Sequence, residues 1–364
     1  MTQDATTFLP DWASPPGDTL ADLLDERGMT QTELAERLGV TLKHVNRVIK
    51  GAATISADLA LGLEKIFGAS AAFWMTREAH YQAARARHEQ RQSFAEAVGW
   101  AKQFPIKELR KRGILPRGSD GPELVEQVLG FLGIAHPDQW REPQVAYRKS
   151  QRFESDQFAL ATWLREGELQ AADLGCAPYD EERFLEVLQE ARSLTRLAPE
   201  AWWPELQARC ASAGAAVVLV DVYAGAKANG ATRWLAPDKA LIQLSLRYRW
   251  EDVFWFSFFH EAGHVVLHRK KDVFVEVAGR DKSPDPREQQ VEAEADRFAA
   301  RTLIPPPHDR RLVGLELRDV EVFAQMLDVA PAIVVGRMHH EGIIPWNQGN
   351  AHRSRLGFVD SATR

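Results

Sequence analysis

Between residues 18 and 90, apolar side chains recur at three- and four-residue steps in five runs. These are "TLADLLDERG", "TQTELAERLG", "TLKHVNRVIKG", "SADLALGLEKIFG" and "SAAFWMTREAHYQAARARHEQ". That period puts the apolar positions on one face of a helix, and a glycine closing each of the first four supplies a left-handed C-cap. The pattern predicts five helices. Helical spacing continues through 93–200, interrupted at "RGILPRGSDGP" and "CAPYD", with no motif that carries chemistry. The period then shortens. "GAAVVLVDVY" (214–223) is a β-branched run, and "ATRWLAPDKALIQLSL" (231–246) predicts two more strands around a Pro-Asp turn. Pro305, Pro306 and Pro307 stop the helical pattern that precedes them. Residues 320–346 read as a closing pair of short helices with helix-turn-helix proportions, but their second helix is mostly apolar, so core packing is the expectation there.

Composition narrows the class. With 45% hydrophobic and 26% charged residues the chain of 364 reads as an ordinary globular protein of two or three domains. A net charge of -6 argues against a broad basic surface for nucleic acid or anionic membrane, although a local basic patch is compatible with it. Cys176 and Cys210 are too few and too far apart for a disulfide framework or a thiolate zinc cluster, and read as reduced, buried residues. The start "MTQDATTFLPDWASPPGD" lacks a basic segment followed by an apolar one, and no apolar run reaches membrane-spanning length, so the expectation is a cytoplasmic protein without membrane contact.

Within "FSFFHEAGHVVLH" (256–268) two histidines stand four residues apart. On a helix, His260 and His264 would present both imidazoles to one point, with Glu261 beside them. This is the HExxH arrangement, in which two neutral histidines bind Zn²⁺ and the glutamate takes a proton from water. A catalytic zinc needs a third protein ligand. Glu292 in "QQVEAEADRFAARTLIP" could complete the set, and Asp296, four residues on, could accept a hydrogen bond from the outward nitrogen of a ligating histidine. Glu294 falls on another face and ranks below Glu292 as a ligand. His268, a further turn along from His264, reads as a helix-end residue, with a bond to backbone or a place behind the ligating histidines as the alternative, and His339 and His340 read as surface or packing residues. Arg247, Tyr248 and Arg249 are unranked candidates for polarising a substrate carbonyl.

A second constellation lies in "TQTELAERLGVTLKHVNRVIKG" (30–51). Thr30 and Glu33 can form a capping box, Gly39 permits the tight turn, and Thr41 can cap the next helix. Val40, Val45 and Ile49 are expected in the core, leaving Lys43, His44, Arg47 and Lys50 outward. From Arg37 to Ala57 there are four basic residues (counting Lys and Arg) and no acidic one, a local positive face suited to a major groove. Gln31, at its helix start, could bond a phosphate.

These residues carry two resemblances. "FFHEAGHVVLH" followed by "EAEADRFAARTLIP" resembles the ImmA/IrrE family of metallopeptidases over about 214–307. Residues 17–88, including "AATISAD" and "ASAAFWMTREAHYQ", resemble the XRE-type helix-turn-helix of HigA-like antitoxins. The first resemblance implies a zinc-dependent endopeptidase with His260, His264 and Glu292 as ligands and Glu261 as base, whose relatives cleave a DNA-binding repressor. Asp296 stands where that family often has Asn. The second implies binding to a double-stranded DNA operator as a homodimer, with Gln31, Thr41, Lys43, His44, Arg47 and Lys50 at the interface. The expected fold is α+β and mainly helical: a helix-turn-helix domain at 15–90, a helical middle region at 91–205, a zincin-like domain with a small sheet at 206–310, and a helical region at 311–364. The expected function is a DNA-binding regulator that cleaves a regulatory protein. The alternative is an antitoxin or autorepressor whose peptidase-like domain senses or binds a partner such as a toxin.

Overall fold

The computed structural model describes residues 14–118, 120–140, 156–268, 274–277 and 286–357. The chain divides into two compact units, one built on residues up to Gly99 with Gly118–Glu126, the other on Trp100–Arg117 and Gln127 onward.

The first unit holds α1 (Pro16–Glu26), α2 (Gln31–Leu38), α3 (Leu42–Ile49), α4 (Ala57–Phe67) and most of α5 (Ala71–Ala101). Both hydroxyl caps form, although the capping box is only half made, the Glu33 carboxylate accepting from Arg37 instead of from the Thr30 N–H. The Thr30 hydroxyl accepts the Glu33 N–H at 3.2 Å, and the Thr41 hydroxyl accepts the His44 N–H at 3.2 Å. Gly39 ends α2 in the left-handed region (φ 67°), a conformation that a Cβ would strain. Leu20, Leu24, Leu34, Leu63 and Trp74 form a core with Val45 and Val48. Here the structure departs from the pattern: Val48 is buried, whereas Val40 and Ile49 are only partly so. Because α3 starts at Leu42, the pair three apart, Val45 and Val48, faces α1 and α2, and Ile49 falls to the flank. α1 approaches α3 so closely that a Cβ on Gly17 would stand 2.2 Å from the Ile49 carbonyl oxygen.

After α6 (Ile106–Lys111) and α7 (Pro122–Leu132) come α8 (Gln157–Ala172), α9 (Glu181–Leu194) and α10 (Pro199–Ser212). The sheet follows, with β1 (Ala215–Leu219), β2 (Ala228–Ala236) and β3 (Lys239–Leu244), then α11 (Glu251–Leu267), β4 (Phe274–Val277), α12 (Pro286–Leu303), α13 (Val320–Leu327) and α14 (Pro331–His340). Sheet order is β1-β3-β2-β4, with β1 parallel to β3 and both pairings of β2 antiparallel. The three strands foreseen from the pattern are joined by β4. Its four residues between charged flanks are too short to display a period.

The helices that carried no motif build this unit. Gln243 of β3 donates to the Trp163 carbonyl of α8 at 2.7 Å, and the Trp163 indole donates to the Val220 carbonyl at 3.0 Å. Trp202 of α10 packs its ring 4.8 Å from those of both Phe254 and Trp255 on α11. α13 and α14 repeat the turn of the first unit: Val329 donates to Ala324 O at 3.1 Å as Val40 does to Ala35 O at 3.0 Å, with Asp328 (φ 57°) in the place of Gly39. The second helix of this pair buries Ile333, Val334, Val335 and Met338, in line with its apolar pattern. Arg353 clasps Asp252 through two hydrogen bonds of 2.9 and 2.8 Å, tying the C-terminal segment to the first turn of α11.

Candidate functional site

α11 is apolar on nearly every face, so its polar side chains lie inside the protein. His260, Glu261 and His264 are 2%, 0% and 1% exposed. The four-residue step brings both Nε2 atoms to one side of the helix, 3.1 Å apart. From α12, which packs along α11, Glu292 places Oε2 3.4 Å from His260 Nε2, and all three donor atoms lie within 4.8 Å of one another.

The donor set suits zinc. Tetrahedral Zn–N and Zn–O bonds near 2.0–2.1 Å put neighbouring ligand atoms roughly 3.3 Å apart, close to the 3.1 and 3.4 Å found. Each outward Nδ1 has a partner: Asp296 Oδ1 at 2.8 Å for His260, and His268 Nδ1 at 2.9 Å for His264. With Nδ1 of His260 donating to a carboxylate, its Nε2 lone pair is left for a metal. His268 continues to Glu294 Oε2 at 3.3 Å, and Glu294 also accepts from the Gln290 amide at 2.9 Å. The Gln290 hydrogen bond, followed by that of His268, lowers the Glu294 carboxyl below its ordinary pKa. Glu292 and Glu294 therefore take different positions, as their helix faces imply, but His268 is more than a helix-end residue.

Two residues beside Glu261 were not foreseen. The Thr232 hydroxyl on β2 lies 2.6 Å from Glu261 Oε2 and 2.9 Å from its carbonyl oxygen. Two positions back on the same strand face, a Cβ on Gly230 would stand 2.6 Å from Glu261 Oε1. A readable signal existed: a Gly and a Thr two apart, on one face of the strand, in a chain that also carries the HExxH helix. Phe274 of β4 stacks on His264 with ring centroids 4.2 Å apart. The three carbonyl-polarising candidates sit at the other end of α11. Arg247 donates to the Lys227 carbonyl, Tyr248 is exposed beside it, and Arg249 adopts φ 58°. About 14 Å of helix rise separates Glu251 from His260, so these three are not brought to the histidines. His339 Nε2 donates to the Gln348 carbonyl at 2.8 Å, and its ring stacks on Trp346.

In the first unit, Thr41, Lys43, Arg47 and Lys50 are exposed on or beside α3, and His44 and Gln31 are half-buried. Gln31 Oε1 accepts from Asn46 Nδ2 at 3.3 Å, which leaves the Gln31 amide hydrogens for another acceptor. The Arg47 guanidinium donates to the Ala52 carbonyl at 3.1 Å.

Residues 20–74 match the family described as helix-turn-helix, and residues 250–338 match the IrrE N-terminal-like domain, a peptidase family. The chain joins an XRE-type helix-turn-helix to an IrrE-like domain. It therefore carries a helix-turn-helix domain and a metallopeptidase-like fold. The candidate metal ligands and Glu261 all lie in the IrrE-like match. An HTH-type transcriptional regulatory protein of Pyrococcus furiosus is 47% identical over 51 residues, 14% of this chain and 16% of that protein's length. Pseudomonas aeruginosa antitoxin HigA, solved with the higBA promoter, is 31% identical over 22% of this chain and 90% of its own, with a TM-score of 0.22. An addiction module antidote protein of the HigA family from Coxiella burnetii is 28% identical over 23% and 92%, with a TM-score of 0.21. Among the described residues no helix is long and apolar enough to cross a membrane.

Proposed function

We propose that this chain is a cytoplasmic, homodimeric transcriptional regulator whose helix-turn-helix binds a double-stranded DNA operator and whose IrrE-like domain is a zinc endopeptidase acting on a regulatory protein. The reading rests on one observation above all: His260, His264 and Glu292 offer three donor atoms within 4.8 Å, two of them on a helix that also carries Glu261. His260, His264 and Glu292 hold the metal, and Asp296 fixes the His260 tautomer. Bound zinc supplies Lewis-acid polarisation of the scissile carbonyl. Glu261 accepts a proton from the attacking water as the new C–O bond forms, then delivers it to the amine nitrogen as the C–N bond breaks. Thr232 holds Glu261 in line for both transfers. On the DNA side, Lys43, Arg47 and Lys50 supply positive charge, Gln31 and the capped start of α3 at Thr41 meet phosphate, and His44 lies at the groove.

The complete burial of Glu261 favours a second reading, in which the domain binds metal and a partner protein, such as a toxin, without cleaving it. Elemental analysis of purified wild type and His260→Ala, both checked by circular dichroism, tests the metal. One zinc per chain, lost in the variant, supports the site, and a metal-free wild type overturns it. Glu261→Gln then separates the readings: a zinc-loaded variant that loses the regulatory phenotype supports cleavage, and one that keeps it supports binding alone.

A further inference from the structure

We infer that His268 and Glu294 form a relay that fixes the tautomer of His264, making His268 a positioning residue for the metal site. The inference rests on the metal reading above and extends it to two residues that are not ligands.

The two ligating histidines are supported differently. His260 meets a carboxylate directly, with Asp296 Oδ1 2.8 Å from its Nδ1. His264 instead meets another imidazole, its Nδ1 lying 2.9 Å from His268 Nδ1. Two facing ring nitrogens can bond only if one carries hydrogen and the other a lone pair. Geometry on the far side of His268 decides which. Its Nε2 lies 3.3 Å from Glu294 Oε2, and an ionised carboxylate only accepts. A neutral His268 therefore carries its hydrogen on Nε2 and offers Nδ1 as an acceptor. His264 must then carry its hydrogen on Nδ1, which puts its lone pair on the Nε2 that faces His260, the form that ligates.

The opposite arrangement is self-defeating. A hydrogen on His268 Nδ1 would place the His264 hydrogen on Nε2, between the two ligating nitrogens 3.1 Å apart. Glu294 thus selects the ligating form of a ring it does not touch. The Gln290 amide, donating to Oε1 of Glu294 at 2.9 Å, holds that carboxylate in place, and Phe274 limits ring motion by packing against both His264 and His268. His268 is well enough covered for the bond to matter, its side chain being 7% exposed. Helix geometry makes the relay possible: 260, 264 and 268 follow at four-residue steps, so the third ring falls beside the second.

The test is zinc affinity of the full-length protein, measured by competition with a chromophoric chelator. His268→Phe keeps a flat ring beside Phe274 but has no acceptor, and weakening by about 10- to 100-fold is expected. His268→Asn restores an acceptor oxygen and should recover most of that loss, which a purely structural role would not produce. Glu294→Gln sits on a partly exposed helix face, where misfolding is not at issue, and should weaken binding about tenfold. In the zinc-loaded wild type, long-range proton–nitrogen spectra should show His268 protonated at Nε2 and His264 at Nδ1. Affinities for His268→Phe and Glu294→Gln within twofold of wild type, or His268 protonated at Nδ1, overturn the relay while leaving the metal site standing. A wild type that binds no zinc overturns both.

Discussion

The hydroxyl of Thr232 lies 2.6 Å from Oε2 of Glu261 and 2.9 Å from the carbonyl oxygen of the same residue. One proton faces two acceptors, so a strand of the sheet pins both the side chain and the backbone of Glu261, the proposed base. Thr232 is 1% exposed, so the contact is buried. Thr232→Val preserves shape and removes the donor, leaving a buried carboxylate short of a partner. A loss of about 1–3 kcal/mol in folding free energy is expected, with Thr232→Ser retaining most of it. Urea unfolding checks this, and an unchanged midpoint in the valine variant would show that the hydroxyl holds nothing.

Gly230 makes the same point through space rather than through a hydrogen bond. An added Cβ would meet Glu261 Oε1 at 2.6 Å and Cγ at 2.7 Å. Gly230→Ala should therefore turn the Glu261 side chain away from its present position and cost about 1–3 kcal/mol by overpacking. Zinc uptake should survive, because the three candidate ligands stand on α11 and α12. Loss of zinc together with stability would place the glycine in the fold at large rather than at Glu261.

What could be read from the sequence was whatever the chain encodes locally. The caps at Thr30 and Thr41, the left-handed Gly39 and the four-residue steps of His260, His264, Glu292 and Asp296 each lie within one or two helical turns. What could not be read was long-range. Thr232 reaches Glu261 across 29 residues and Arg353 reaches Asp252 across 101, and neither separation leaves a periodic trace. α8 to α10 looked silent because a helix that packs against a sheet needs only apolar residues, and those carry no chemistry. For His268 the sequence left two readings open, because its further contact is with Glu294, on the next helix.

Lys43 on α3 and Lys50 at its C-cap are exposed, whereas Arg47 already donates to Ala52. A lysine that neutralises a phosphate releases a counterion, so Lys43→Ala and Lys50→Ala should each lower the slope of log affinity against log salt by about 0.9. Arg47→Ala should weaken binding further by also loosening the turn that Ala52 anchors. Fluorescence anisotropy with a labelled duplex across a salt series checks this. Slopes equal to wild type in all three variants would move the DNA-binding face off α3.

The two cysteines test the second unit without any ligand. Cys210 is wholly buried on α10, and burial pushes its thiol far above the ordinary range. Cys176 is half-covered; burial raises its thiol too, against a smaller opposing pull from Lys239. Only the thiolate attacks a disulfide reagent. Both groups are raised, so reaction must speed up as pH increases, and at neutral pH Cys176 should react slowly. Cys210 should stay unmodified until α10 leaves the sheet, so its rate should follow unfolding in urea. A fast second equivalent in native buffer would mean that α10, which brings Trp202 against Phe254 and Trp255 of the histidine-bearing helix, opens on its own.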